Sequence, residues 1–265
     1  MMRRLIRGTS LAAIGAVLLS FAPHIATAEE AVKEHPLDPA LRWARSSLKD
    51  MEGIKGYSAT LIKRERIGKT LLPKEYIYLK VRHEPFSVYM YFIGPAEMKG
   101  RECIYVQGQN NNKLIAHGTS ALEKLVGTVR LDPNGIVAMR NQRYPITTIG
   151  VLNLTRELIR RAEEDKLIDS PTEVKFFKSE KLKINGRSVT CIQVTHPEKH
   201  PKHTFHKVRL FVDNQLNIPI RYESYDFPGA NGKPVLTEEY TYLKLDTTKA
   251  FTPKDFDPEN PNYDF

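Results

Sequence analysis

The stretch that decides the fold is EYIYLKVR at residues 75–82, followed after His83-Glu84-Pro85 by FSVYMYF at residues 86–92. In the first segment Ile77, Leu79 and Val81 alternate with Tyr76 and Tyr78. In the second, Phe86, Val88, Met90 and Phe92 alternate with Ser87, Tyr89 and Tyr91. A period of two is the signature of half-buried strands, because successive side chains leave a strand on opposite faces. Glu84-Pro85 and Gly94-Pro95 break the pattern at both ends of the second segment, as an antiparallel meander requires.

The same period extends outward. Residues 57–66 form a long strand candidate, with a turn at 68–73. Residues 102–107 and 113–117 flank the polar loop 108–112, and a short hairpin is expected in 129–139 around Asp132-Pro133-Asn134-Gly135. Downstream, 173–184 and 187–195 meet at Asn185-Gly186, a strong two-residue hairpin signal. A further hairpin joins 205–212 to 218–225, and 235–245 is the last strand.

Two segments change period. Residues 39–51 carry Leu41, Ala44, Leu48 and Met51 at helical offsets behind Asp38-Pro39, an acid followed by a proline suited to a first helical turn. Residues 148–165 carry Val151, Leu154, Leu158 and Ala162 on one stripe. Roughly ten antiparallel strands with one helix in front and one in the middle predict an α+β fold. It is a single large curved antiparallel sheet, a half-barrel, with two main helices on its concave face. A long sheet coils, and two helices only partly fill the trough that results.

The N-terminus reads as a secretory signal over residues 1–28. Arg3, Arg4 and Arg7 precede the apolar run LAAIGAVLLSF (11–21), and Ala26-Thr27-Ala28 is a small-x-small cleavage site. Residues 29–37 are a polar leader, 38–250 the sheet domain, and 251–265 an irregular tail packed on it. The chain has 265 residues, 41% hydrophobic, enough to bury a core. Its formal charge of +9 suits an anionic partner. Export removes nucleic acid from consideration, and no run of five or more basic residues argues for it. An anionic membrane surface stays in view.

Particular segments carry a resemblance. IYLKVRHEPFSVYMYFIGP (77–95) and GRECIYVQG (100–108) resemble the strand–Pro–strand pattern of the LolA/LolB-like periplasmic lipoprotein carriers. RYPI (143–146) with Ile149-Gly150, His196-Pro197, PIRY (219–222) and the terminal DFDPENPNYDF (255–265) resemble the bacterial domain-of-unknown-function family 1571. The first likeness implies a half-barrel that holds lipid or a lipidated protein. The second brings no catalytic residues.

The chemistry-bearing residues form no enzyme motif: there is no Gly-x-Ser-x-Gly, no His-Glu-x-x-His and no Gly-x-Gly-x-x-Gly. His196, His200, His203 and His206 form a dense cluster, but Lys199, Lys202 and Lys207 surround it. The expectation is a solvated loop, with His200, His203 and His206 facing water and no metal. Asp255, Asp257, Glu259 and Asn260 lack the glycine and closing acid of a calcium loop. Gly68-Lys69-Thr70 lacks the earlier glycine of a phosphate loop, since position 63 is Lys63. Cys103 and Cys191 stand either as a disulfide of an exported protein or as two separate thiols. The same-face pairs Tyr76/Tyr78, Tyr89/Tyr91 and Tyr240/Tyr242 suit either a cavity rim or an outer sheet face.

The sequence therefore predicts a non-catalytic exported carrier or sensor without cofactor, holding a lipid, acyl chain or lipidated partner. The expected trough lining is Leu61, Ile77, Leu79, Val88, Met90, Phe92, Ile104, Val106, Leu210, Val212 and Ile220. The rival reading is a structural or protein-interaction module of the envelope with a packed interior. A hydrolase with an unrecognised site is the weakest alternative.

Overall fold

The computed structural model describes residues 34–265, so the signal segment 1–28 and most of the polar leader lie outside the described residues. Helix α1 spans Asp38–Glu52, with a proline in its first turn and Leu41, Ala44, Ser47 and Met51 buried. The chain then enters the long strand β1 (Gly56–Ile67), the two-residue β2 (Thr70–Leu71), β3 (Glu75–Arg82), β4 (Ser87–Gly94), β5 (Glu102–Val106) and β6 (Leu114–His117). A short helix α2 (Ala121–Val126) precedes β7 (Val129–Leu131), and helix α3 covers Val151–Asp165. Five long strands follow: β8 (Glu173–Ile184), β9 (Arg187–Thr195), β10 (Lys207–Asp213), β11 (Pro219–Asp226) and β12 (Val235–Asp246).

All twelve strands of the described residues belong to one open antiparallel sheet, in the order β7-β6-β5-β4-β3-β1-β12-β11-β10-β9-β8, with β2 paired to β1. The middle of the sheet is closed by the first long strand pairing with the last, Leu61 opposite Tyr242 and Lys63 opposite Tyr240. The other pairings join strands close in sequence, mostly through hairpins, with α2 between β6 and β7 and β2 between β1 and β3. The architecture is the expected α+β half-barrel, with three α-helices among the described residues rather than two.

The unforeseen helix is α2. Ser120 accepts a hydrogen bond from the Glu123 amide, while the Glu123 carboxylate accepts from the Ser120 amide, a complete capping box. Helix α3 begins three residues later than its periodicity suggests. Residues Ile146–Thr148 form a separate 3-10 turn, and Gly150, at φ 108°, breaks the chain direction before the helix starts.

Helices α1 and α3 pack on the inner face of the sheet over two apolar clusters. One gathers Met51, Tyr57, Ala59, Leu61, Ile77, Leu79, Val81, Val88, Met90, Phe92, Val151 and Leu152. The other gathers Ile192, Phe205, Val208, Leu210, Val212 and Tyr222 against Trp43, Leu154 and Leu158. The outer face carries a third cluster, Tyr89, Ile104, Val106 and Phe256, flanked by Phe251, Tyr263 and Phe265 of the C-terminal tail. Tyr263 stacks on Tyr89 with ring centroids 4.0 Å apart. Its hydroxyl accepts from Lys80 Nζ at 2.9 Å, and Asp255 pairs with the same ammonium at 3.0 Å.

Candidate functional site

Register builds the floor of a cavity. On the inner face Leu61 lies opposite Ile77, and Ile77 opposite Phe92. One row further, Ala59, Leu79, Met90, Cys103, Ala116 and Val129 line up across six strands. Where α1 and the start of α3 cover these rows the packing is tight: Ile77, Leu79 and Val88 are fully buried. Beyond the helices the rows open into a cavity of about 820 Å³, within the range of small-molecule sites. Leu61, Met90, Phe92 and Cys103 form its floor, and Leu154 and Leu158 of α3 look down on it. Val126 and Val137 line it while remaining 63% and 68% exposed, which places them at the mouth. Leu125 and Ile136 beside them are 84% and 92% exposed.

One wall is polar, with most of its groups bonded to one another, while the buried Glu75 Oε2, outside the lining itself, makes no hydrogen bond. Lys63 Nζ sits 3.2 Å from Glu75 Oε2 and 3.4 Å from Glu65 Oε2, and donates to Gln142. Glu65 and Glu238 face each other across β1 and β12, a repulsive pairing if left alone. Arg143 relieves it, its Nε bonding Glu238 Oε2 at 2.9 Å and its amide bonding Glu65 Oε2 at 3.0 Å. The Tyr240 hydroxyl stands 2.6 Å from Glu65 and 3.1 Å from Glu238, and Tyr144 and Ser224 donate to Glu238 at 3.2 and 3.1 Å.

Burial governs the ionisation of this wall. It raises the Glu75 carboxyl above its ordinary value, against the opposing pull of Lys63. It pushes the phenols of Tyr222 and Tyr240 well above theirs. It lifts the Cys103 thiol to about 12, so the floor's sulfur is a neutral thiol and a poor nucleophile at physiological pH. Among the described residues of this wall, Lys63, Glu65, Arg143, Tyr144, Glu238 and Tyr240 hold one another in place.

Of the residues expected to line the trough, Leu61, Met90 and Phe92 do so. Ile77, Leu79 and Val88 share the face but lie in the packed part beneath the helices. Leu210 and Val212 are packed in the second cluster, and Ile220 is buried in β11 outside the cavity lining. Ile104 and Val106 require correction. They point to the outer face, because Ile104 pairs with Tyr89 and Val106 with Ser87, the outward residues of β4. Their apolar character serves the C-terminal tail, and the inner residues of β5 are Cys103 and Tyr105. Tyr222, Tyr240 and Tyr242 line the cavity, whereas Tyr76/Tyr78 and Tyr89/Tyr91 are outward.

One open alternative is decided and one expectation is revised. The disulfide is not formed: both cysteines are free, with six strands between β5 and β9 and the two side chains on opposite faces. The histidine loop is not simply solvated. His196 is buried and stacks on His203 at 3.8 Å, the two rings 13° from parallel, and the His203 side chain is fully covered. Lys199 and Lys202 are exposed, so the charges expected to dominate the loop point away from the rings.

The model of a family described as proteins of unknown function, DUF1571, matches residues 54–265. No curated protein matches the sequence. Among solved structures, the chain is similar to lipoprotein LppX from Mycobacterium tuberculosis, at TM-score 0.45 and 15% identity over 81% of this chain and 98% of that one. It is similar to the Pseudomonas aeruginosa MucA/MucB complex structure, at TM-score 0.46 and 13% identity over 83% of this chain and 60% of that one. It is also similar to a LolA superfamily protein from Nitrosomonas europaea, at TM-score 0.31 and 12% identity over 81% of this chain and 97% of that one.

Proposed function

The chain belongs to the DUF1571 family, and from the geometry of its cavity we propose that it is an exported, non-catalytic carrier or sensor. Its ligand is a lipid, an acyl chain or a lipidated partner. The observation that carries this reading is the inner-face cavity of about 820 Å³, floored by Leu61, Met90, Phe92 and Cys103 and open to solvent past the exposed Val126 and Val137. A packed interaction module gains nothing from leaving such a volume beside its core, since unfilled apolar space costs stability. Exposed apolar side chains around an opening mark a binding surface. Arg140 and Arg156 also line the cavity and suit an anionic head group or an anionic membrane surface. The signal-like leader supports delivery outside the cytoplasm.

The test is binding of a long-chain fluorescent fatty acid to the native protein, compared with Met90→Trp. The thioether of Met90 sits in the floor and adapts to varied chain shapes. The indole fills that space, so affinity should fall at least about tenfold while the far-ultraviolet circular dichroism is unchanged. Wild-type protein that binds neither fatty acid nor extracted envelope lipid would remove the carrier reading in favour of the interaction module.

A further inference from the structure

Outside the lining of the cavity, three side chains converge beneath the β9–β10 connection. Asp165 is the last residue of α3, His196 follows β9, and His203 lies in the loop before β10. One ligand-type atom from each falls within 4.8 Å of the others. His196 Nε2 is 3.3 Å from Asp165 Oδ2, and His203 Nδ1 is 3.5 Å from Asp165 Oδ1. The histidine side chains are 0% exposed and the aspartate side chain is 9% exposed.

From this geometry we propose that Asp165, His196 and His203 form a binding site for a divalent transition metal of the zinc class. Four observations support it. First, His203 Nε2 is buried without a partner among the described residues, and His196 Nε2 and His203 Nδ1 meet only the Asp165 carboxylate, at separations and angles that make no hydrogen bond. Buried nitrogens are rarely left so, because each forfeits its solvation. Second, the 3.3 and 3.5 Å separations are long for hydrogen bonds and close to the ligand-to-ligand edge of a tetrahedral zinc site, about 3.3–3.4 Å for bonds near 2.0–2.1 Å, and binding turns the two rings out of their near-parallel stack so that both lone pairs meet the ion. Third, Thr172 Oγ1 stands 3.2 Å from His196 Nδ1, occupying one ring nitrogen so that the other is left for an ion. Fourth, the site caps the C-terminal end of the 15-residue α3, where the helix dipole favours a cation.

Two imidazoles and a carboxylate leave a fourth tetrahedral position for water or for His200, whose ring lies 5.5 Å from that of His203. His206 is not part of the set, because its Nδ1 is engaged with the His196 carbonyl at 2.8 Å. An N2O donor set suits Zn(II) and also accepts Ni(II) or Cu(II). The ion ties the end of α3, which roofs the cavity, to the β9–β10 corner of the sheet.

The experiment uses tag-free full-length protein, stripped with chelator and titrated with zinc chloride by calorimetry, with metal content measured after dialysis. One zinc per chain is expected, with a rise in melting temperature of several degrees. Asp165→Asn and His203→Gln keep side-chain volume and should each weaken zinc binding by at least about tenfold while retaining the native circular dichroism. His117→Ala, remote on β6, should bind as the parent does. Absence of stoichiometric zinc, or variants at Asp165 and His203 that bind as tightly as the parent, would overturn the assignment. A variant that fails to fold is replaced by Asp165→Ser or His203→Asn, read against the same two outcomes.

Discussion

The hydroxyl of Tyr57 accepts a hydrogen bond from the Val151 amide at 3.1 Å, so a side chain of the central strand holds the first turn of the helix that roofs the cavity. The contact works because Gly150 precedes it. A Cβ at Gly150 would stand 2.8 Å from that hydroxyl, and the residue holds φ +108°, where side-chain-bearing residues are strained.

Tyr57→Phe leaves a buried amide without its acceptor and should cost about 1–3 kcal/mol in urea unfolding. Gly150→Ala should cost about 2 kcal/mol or more from the backbone and the clash together. In the double variant the clash with the hydroxyl is gone, so the penalties should sum to less than the two singles. Strict additivity would show that the hydroxyl and the glycine are not coupled.

Phe256 is 3% exposed and fastens the C-terminal tail over Ile104 and Val106. Phe256→Ala should destabilise by about 3 kcal/mol and open the tail to limited proteolysis near residues 251–265. Equal protease resistance in variant and parent would mean that the tail's docking does not depend on that ring.

Glu75 makes stability depend on pH. Burial raises its carboxyl from the ordinary 4.5, so in the window above that value the native state holds a proton that the unfolded chain has released. Stability from this residue is therefore greatest in acid and falls as pH rises through the window, levelling once the native carboxyl has also ionised. Glu75→Gln cannot titrate. The stability difference, variant minus parent, should rise from pH 4.5 upward and then flatten, as measured by urea midpoints at a series of pH values. A difference independent of pH removes Glu75 as the titrating group.

The thiols give a direct check on topology. Burial lifts Cys103 to about 12 and Cys191 to about 11. In the absence of reductant, native protein at pH 8 should react slowly with a thiol-specific disulfide reagent, and unfolded protein should titrate two thiols at once. Finding none in the unfolded protein would demonstrate a bridge and contradict the placement of the two residues on opposite faces.

Much of the architecture was legible because its signals are local. The alternation in 75–82 and 86–92, the Asn185-Gly186 turn and the stripes of α1 and α3 each act within a few residues, and the structure places strands and helices there. Helix α2 was missed: Ser120 and Glu123 stand at capping-box spacing, but its six residues are too short to show a periodic stripe. The pairing of β1 with β12 had no comparable local signal, since the strands are separated by most of the chain.

The sequence by itself determined which residues of each strand share a face, because that follows from the two-residue repeat of the backbone. It did not determine which face is inner. Ile104 and Val106 are as apolar as Val88 and Met90, yet the tail covers the first pair and the helices cover the second. A strand buried on both sides offers no contrast by which hydrophobicity can choose. The same holds for Asp165, His196 and His203: composition showed a histidine-rich loop with lysines, and only folding stacked two of the rings over a helix end while turning Lys199 and Lys202 to solvent and Lys207 onto the Tyr225 ring. Tertiary structure decided these matters because burial and convergence depend on what arrives from distant parts of the chain.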